Sequence, residues 1–408
     1  MAHHLQKPSI AGFPQEAFIM TFRLGARASS LAIASLMLGA GCTSGEATGS
    51  KTDLGTGDGV VAAGPDTGPG TGQTPAASAL VVTNLASDQA GVASSLGAGL
   101  MNAWGIVSFN GMFWVANEGS GKVSIFDGAG KPAAGDLASD AIDLGEGITG
   151  IAVNDMAMKD DKRFQIHMDN GVCQPAQLIF ASTKGTLIGV NSDLSTKGGF
   201  VLVDRSGSQA AYLGVAVVHG KAPMVLAADF HNARIDVFDI NFQLVTDVSF
   251  VNTEVPKGFA PFNVMAFGDV VYVTYAQQDE EMEEEVTGPG LGFVSAFDTS
   301  GKLLWTLKSD LFNAPWGMAI AKDFGPFPGA LLVGNFGDGH ITAIDAKAMK
   351  VLGQLMSAPN TAIEIDGLWG IAFGDGVASA RAGLYFAAGP DDEMHGMFGV
   401  ISAPATKM

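Results

Sequence analysis

Three stretches of this sequence repeat one short pattern, and that pattern decides the fold. Residues 102–107 read NAWGIV, residues 313–320 read NAPWGMAI, and residues 367–373 read GLWGIAF. In each stretch a Trp-Gly pair leads into a short apolar run. Weaker copies of the pattern occur at residues 149–153 (TGIAV), 213–217 (LGVAV) and 261–266 (PFNVMA). Self-similarity at a regular spacing marks a repeat architecture, so the sequence predicts six related units.

Each unit continues with two further apolar runs. The second runs are residues 113–117, 178–182, 225–229, 271–275, 331–335 and 384–388. The third runs are residues 123–127, 187–191, 235–239, 294–298, 341–345 and 398–402. The third runs alternate apolar and polar residues, which is the period-two pattern of a half-buried antiparallel strand. The units average about 53 residues, close to the repeat length of β-propellers.

A fourth apolar run follows in the first five units, for example at residues 200–203, 245–250, 303–307 and 351–355. The sixth unit has no such run, because the chain ends shortly after Ser402. A spare run, residues 79–85 (ALVVTNL), precedes the first unit. An unpaired sheet edge promotes aggregation, so we expect this run to pair with the sixth sheet. The predicted fold is an all-β, six-bladed β-propeller over residues 78–408, closed by an N-terminal strand in the last blade.

Four aspartates end the third runs at the same position: Asp127, Asp239, Asp298 and Asp345. An aspartate side chain can start a turn by accepting a hydrogen bond from the backbone two residues further on. We therefore interpret these aspartates as structural rather than catalytic.

The N-terminal 41 residues resemble a signal region. Arg23 and Arg27 precede an apolar run, residues 31–38, which is too short to span a bilayer but suits the core of a signal peptide. Translation is expected to begin at Met20. Small residues directly before Cys42 resemble a bacterial lipobox, so Cys42 is the expected lipidation site. The alternative is an ordinary secretory signal in which Cys42 has no role.

Residues 42–77 are rich in Gly, Thr, Asp and Pro and contain few large apolar residues. Such a segment cannot bury enough apolar surface to offset the entropy of ordering it, so we expect a flexible tether. The protein is thus expected to be exported to the bacterial cell envelope, in the periplasm or on the outer surface. Its membrane association would come from the lipid anchor alone.

The chain has a formal net charge of −19. This charge argues against a nucleic-acid partner, because a phosphate backbone requires a basic surface. It is typical of an acidic secreted protein, or of one that binds cations.

The repeated Pro-Trp-Gly-x-Ala, Val-Ala-Asn and Ile-x-x-Phe-Asp elements look like an NHL-type propeller repeat. Four longer stretches resemble a bacterial family of exported conserved-hypothetical proteins that is often seen with PEP-CTERM sorting signals. They are residues 258–263 (GFAPFN), 288–293 (GPGLGF), 329–339 (GALLVGNFGDG) and 389–396 (GPDDEMHG). The resemblance covers residues 80–402 and implies a propeller and export. It implies no activity.

In such a propeller, the loops between the second and third strands share one face with the connections into the first strands. This loop face would gather polar and aromatic residues from all six blades around one mouth of the central channel. The candidate binding residues are Asn117, Glu118, Asn263, Asn335, Asp338, His340, Trp104, Trp316 and Trp369. Taken singly, the polar residues can be turn formers, and the tryptophans can pack between blades near the axis.

Histidines 231, 340 and 395 also fall on the loop face and are the candidate ligands of a divalent metal ion. General acid–base catalysis by His231 or His395 with Asp229 or Asp392 is a related hypothesis. No recognised metal, nucleotide or serine-hydrolase motif supports the metal site or the acid–base hypothesis. A divalent metal ion is the one cofactor that the sequence suggests, and it is not certain. An acidic run, residues 279–285 (DEEMEEE), is interpreted either as a solvated loop or as a lid that attracts cations.

The leading functional hypothesis is a lipid-anchored binding protein that holds a small-molecule or protein ligand at the loop face. The alternative is a metal-assisted hydrolase or lyase at the same face, so whether the protein is an enzyme stays open. A scaffold for protein partners is favoured if tryptophan side chains fill the channel mouth.

Overall fold

A computed structural model describes residues 79–140, 142–157, 163–220, 222–375 and 383–404. Nearly all regular structure in these ranges is β-strand, with 3₁₀ turns at Gly135–Leu137 and Ser206–Ser208. Within the same ranges, no helix has the length and apolar character needed to cross a membrane. The signal region and the whole tether, Cys42 included, lie outside the described residues, so their assignments stay predictions.

The strands fall into six main sheets, one for each repeat. The chain begins with β1 (Val81–Ser87) and β2 (Ser95–Leu96). Blade 1 contains β3 (Ala103–Phe109), β4 (Met112–Asn117), β5 (Lys122–Phe126) and β6 (Ile142–Asp143). Blade 2 contains β7 (Ile148–Val153), β10 (Leu178–Ser182), β11 (Thr186–Val190) and β12 (Phe200–Asp204), and its insertion forms the hairpin of β8 (Gln165–His167) and β9 (Cys173–Pro175). Blade 3 contains β13 (Tyr212–Val218), β14 (Met224–Asp229), β15 (Arg234–Phe238) and β16 (Leu244–Val245).

The second half of the chain repeats this arrangement. Blade 4 contains β17 (Phe259–Phe267), β18 (Val270–Gln278), β20 (Gly292–Asp298) and β21 (Leu303–Lys308), with β19 (Glu285–Val286) paired to β18. Blade 5 contains β22 (Pro315–Ile320), β23 (Leu331–Asn335), β24 (Ile341–Asp345) and β25 (Lys350–Gln354), followed by the small hairpin of β26 (Met356–Ala358) and β27 (Thr361–Ala362). Blade 6 contains β28 (Leu368–Phe373), β29 (Leu384–Ala388) and β30 (Met397–Ser402).

The first strands of the six blades form a ring. Along the chain, β3 contacts β7, β7 contacts β13, β13 contacts β17, β17 contacts β22 and β22 contacts β28. The strand β28 in turn contacts β3, so the series closes on itself around a central channel. The predicted all-β, six-bladed propeller is therefore confirmed.

The glycine of the Trp-Gly pattern lets neighbouring blades approach closely. A Cβ atom on Gly105, Gly317 or Gly370 would collide with a carbonyl oxygen of the next blade's first strand. In blade 4 the glycine is replaced by Asn263, whose Nδ2 donates a hydrogen bond to the Trp316 carbonyl oxygen at 2.9 Å. The repeated motif thus encodes contact between blades rather than the fold of any single blade.

The strand β1 pairs antiparallel with β30, from Val81 opposite Ser402 to Ser87 opposite Met397. It lies at the outer side of blade 6, and β2 pairs with it in parallel. Leu85 and Ala86 are buried in the apolar cluster that blades 1 and 6 share.

The four aspartates that end the third strands form the expected turns. The Oδ1 atoms of Asp127, Asp239, Asp298 and Asp345 each accept a hydrogen bond from the backbone N–H two residues on, at 2.8 to 3.0 Å. Their structural interpretation is confirmed.

The fourth strand of blade 3 is shorter than predicted. Pairing stops at Val245, whereas the sequence pattern continued to Phe250. Phe250 is buried and packs edge-on against Phe297 of blade 4, with ring centroids 5.6 Å apart. The chain leaves the sheet because burying this ring between two blades requires it to turn inward.

Candidate functional site

Three tryptophans meet at the loop-face end of the channel. Trp104 stacks on Trp369 with ring centroids 3.5 Å apart, and Trp316 contacts both of them edge-on at 5.8 and 5.7 Å. Their exposed fractions are 7, 1 and 3% for Trp104, Trp369 and Trp316. Phe336 stacks on Trp369 as well, at 4.1 Å. The tryptophans thus pack against one another and fill the channel at this end, which is the arrangement that favours the alternative of a scaffold for protein partners.

Carboxyl groups from blades 1 and 6 lie beside these tryptophans. Trp369 donates a hydrogen bond from Nε1 to Oε1 of Glu393 at 3.1 Å. Asn102, which is buried, donates from Nδ2 to Oε2 of Glu118 at 3.2 Å. Burial raises the pKa of Glu393, while hydrogen bonds from Trp369 and Asn102 oppose that rise and the charge of Glu118 adds to it.

Glu285 of the blade 4 loop joins the same group of acids. Burial raises its pKa to about 8, and the charges of Glu393, Glu284 and Asp279 add to the rise. The charge of Glu393 in blade 6 thus acts on Glu285 in blade 4. We call Glu118, Glu284, Glu285 and Glu393 the carboxylate cluster.

The acidic run forms an ordered loop. Asp279 Oδ1 accepts hydrogen bonds from the backbone N–H groups of Glu283 and Glu284 at 2.9 and 3.2 Å. The following strand β19 pairs with the end of β18. Most of the acidic side chains are exposed, as the solvated-loop interpretation requires, while Glu285 is half-buried. Sequence reasoning did not single out Glu285, because the pairing of β19 with β18 determines which carboxylate of the run is covered.

The three candidate histidines have three different partners. His231 Nδ1 lies 3.2 Å from the carbonyl oxygen of Met282, and His340 Nδ1 lies 3.6 Å from Asp338 Oδ2. His395 Nδ1 lies 2.8 Å from Asp88 Oδ2. Among the described residues, no group of three or more His, Cys, Asp or Glu side chains is placed to hold a metal ion.

The two candidate catalytic aspartates differ in environment. Asp229 is buried, accepts a hydrogen bond from Asn232 Nδ2 at 2.8 Å and pairs with Arg234 at 3.2 Å. Burial raises its pKa, and the hydrogen bonds it accepts oppose that rise. Asp392 is exposed and lies in a turn with positive φ, together with Asp391 and Glu393. Asp229 thus holds its own loop together.

The candidate asparagines also hold loops. Asn117 Nδ2 donates to the Lys122 carbonyl oxygen at 2.8 Å and to Ser124 Oγ at 2.9 Å. Asn335 Nδ2 donates to the Leu311 carbonyl oxygen at 2.8 Å and to Asp338 Oδ1 at 3.1 Å. Of the candidate binding residues, Glu118 and the three tryptophans are those that the structure brings together with the carboxylate cluster.

The channel below the tryptophans is narrow and then widens. A void of about 20 Å³, lined by Asn263 and the glycines of the inner ring, leaves room for a single water. Towards the opposite face lies a cavity of about 350 Å³, lined by residues from all six first strands. The sequence carries a signal for this cavity, since an alanine recurs two positions after the glycine of the repeated pattern, at Ala152, Ala216, Ala319 and Ala372.

Fold and site together define a six-bladed β-propeller whose channel is filled by aromatic side chains at its loop face and open at the other. No protein-family model matches the chain. Two uncharacterized proteins of Acanthamoeba polyphaga mimivirus are each 27% identical to it, over 332 and 336 residues. Each alignment covers 78% of this chain, and the two cover 85% and 79% of the viral proteins. These relatives give no support to the expected bacterial PEP-CTERM-associated family.

Solved structures show only a distant likeness. A protein of unknown function from Bacteroides thetaiotaomicron VPI-5482 has a TM-score of 0.49 and 14% identity, covering 79% of this chain and 76% of its own. Virginiamycin B lyase from Staphylococcus aureus has a TM-score of 0.43 and 11% identity, covering 74% of this chain and 95% of its own. At these values, neither structure bears on the function of this chain.

Proposed function

We propose that the protein is an exported binding protein that holds a small organic cation at the carboxylate cluster of its loop face. One observation carries the proposal: Glu285 of blade 4 and Glu393 of blade 6 are both half-buried, the pKa of each is raised by burial, and the charge of Glu393 adds to the rise at Glu285. Buried like charges destabilise one another, and a cation placed between them relieves both the repulsion and the lost hydration.

An organic ammonium ion suits this site better than a metal ion. Described residues supply no set of three metal donors, whereas an amine needs only carboxylate acceptors. For the same reason, the alternative of a metal-assisted hydrolase or lyase gains no support. The stacked tryptophans below the cluster form a rigid base, and they close the channel so that the ligand stays at the loop face.

Binding of such a cation depends on pH with a defined sign. Because the pKa of Glu285 is about 8, its carboxyl group is mostly protonated at pH 7. A cation favours the ionised form, so binding at pH 7 releases about one proton, and affinity rises as pH passes through 8. Calorimetric titration with spermidine at pH 7 and pH 9, in buffers of different ionisation enthalpy, measures both effects.

Two variants locate the site. Glu285→Gln is expected to weaken spermidine binding at pH 9 about tenfold and to abolish the proton release, since it removes the titrating group. Glu281→Gln lies in the same loop but is exposed, so it serves as the matched control and should change affinity little. Absence of binding to the unmodified protein at pH 9, or equal effects of the two variants, would contradict the proposal.

Export and lipid anchoring at Cys42 are part of the same proposal. They rest on the residues 31–42, an apolar run followed by small residues and a cysteine. The NHL-like repeat is compatible with this placement, because a propeller on a tether presents its loop face to soluble ligands.

A further inference from the structure

The cavity at the open end of the channel is a second concave site, distinct from the carboxylate cluster. Its volume of about 350 Å³ falls in the range of small-molecule pockets. Each of the six first strands contributes to its wall, so the rigid ring of blades fixes its shape. The tryptophans and the narrow void beneath them separate it from the loop face.

The wall of this cavity is mainly apolar. Met265, Phe267, Met318 and Phe373 line it, and Met265, Phe267 and Phe373 are only half-buried. Apolar side chains that stay partly exposed inside a concave site gain free energy when a ligand removes them from water. Each first strand also pairs on one side only, so its other edge presents backbone donors and acceptors to the channel.

The charges around the cavity select against ions. Among the described residues that line it, Lys322 is the one that carries a charge, and a cation there disfavours cationic ligands. The turns between the first and second strands of blades 2, 4 and 6 carry Asp155, which pairs with His219 at 2.9 Å, Asp269 and Asp375, so the described charges at this face do not favour an anion. From these observations we infer that the cavity binds a small neutral molecule with an apolar body and at least one hydrogen-bonding group.

The neutral dye N-phenyl-1-naphthylamine tests this inference, because it combines two aromatic units with one N–H donor. Full-length protein carrying Cys42→Ser is used, so that no detergent competes with the dye. We expect saturable binding with a stoichiometry of one, detected as enhanced dye fluorescence. The anionic analogue 1-anilinonaphthalene-8-sulfonate should bind about tenfold more weakly, because the mainly apolar wall does not replace the hydration that its sulfonate loses. Equal affinity for both dyes would overturn the assignment of a neutral ligand.

Substitutions that fill the cavity locate the dye. Ala372→Phe and Ala152→Phe place a phenyl ring in the cavity from blades 6 and 2, and each should reduce affinity about tenfold or more. Ala129→Phe adds the same ring to an exposed turn of blade 1 and should leave binding unchanged. Unchanged binding in both folded cavity variants would overturn the site.

If the cavity variants do not fold, a measurement on the protein without these substitutions still tests the inference. With ¹³C-methyl methionine, dye binding should shift the resonances of Met265 and Met318, which line the cavity. The resonance of Met349, which is exposed on the outer side of blade 5, should not move. Shifts confined to methionines outside the cavity would refute the inference, while the spermidine experiments on the loop face would be unaffected.

Discussion

At the scale of single residues, the Trp-Gly pair combines two separate functions. The glycine allows one first strand to lie against the backbone of the next, and the tryptophan fills the space at the axis. Both contacts join residues far apart in sequence. The pattern of the motif is therefore visible in the sequence, but the partners of each side chain are not.

The glycine contact predicts a large cost for a single methyl group. Gly317→Ala would force its Cβ against the Trp369 carbonyl oxygen, so we expect a loss of about 1–3 kcal/mol in the free energy of unfolding. Gly207→Ala is the matched control, because a Cβ there meets no atom within 4 Å. Urea denaturation followed by tryptophan fluorescence measures both. Equal midpoints for the two variants would show that the blades are not in contact at this position.

At the scale of elements, most second and third strands lie where the period-two pattern placed them. β10, β23, β24 and β29 begin and end at the predicted residues, because alternating burial is a local property of a strand. The predicted end of the fourth strand of blade 3 was wrong, because the chain leaves the sheet where Phe250 packs against blade 4. The sequence pattern predicts the bounds of a strand correctly where its contacts lie within one blade. It fails where contacts with the neighbouring blade end the strand.

The packing of β1 predicts how its side chains contribute to stability. Leu85 is buried between blades 1 and 6, so Leu85→Ala should lower the free energy of unfolding by about 2–5 kcal/mol. Val81 lies in the same strand but is 46% exposed, so Val81→Ala should have little effect. Chemical denaturation compares the two variants. If Leu85→Ala unfolds at the same midpoint as Val81→Ala, β1 does not pack into the propeller.

At the scale of the whole molecule, the two ends of the channel have opposite character. The loop face carries carboxylates over a closed aromatic base, and the other end opens into a mainly apolar cavity.

The anchor itself predicts where the protein is found. When produced in a bacterial host, the mature chain should begin at an acylated Cys42 and partition with membranes, since two or more acyl chains give stable attachment. The Cys42→Ser variant should instead be recovered in a soluble fraction. Mass spectrometry of the N-terminal peptide and cell fractionation test this. A mature chain with residues before Cys42 would contradict lipidation.

The sequence by itself determined the six repeats, the strand pattern within them and the turns formed by the aspartates. Each of these depends on residues close together in the chain, so periodicity and local hydrogen bonding suffice. Only the tertiary structure decided that the tryptophans close one end of the channel, that Glu285 is half-buried and how large a cavity opens at the other end. These features arise where six distant strands meet at one axis, and the available space there depends on all six together.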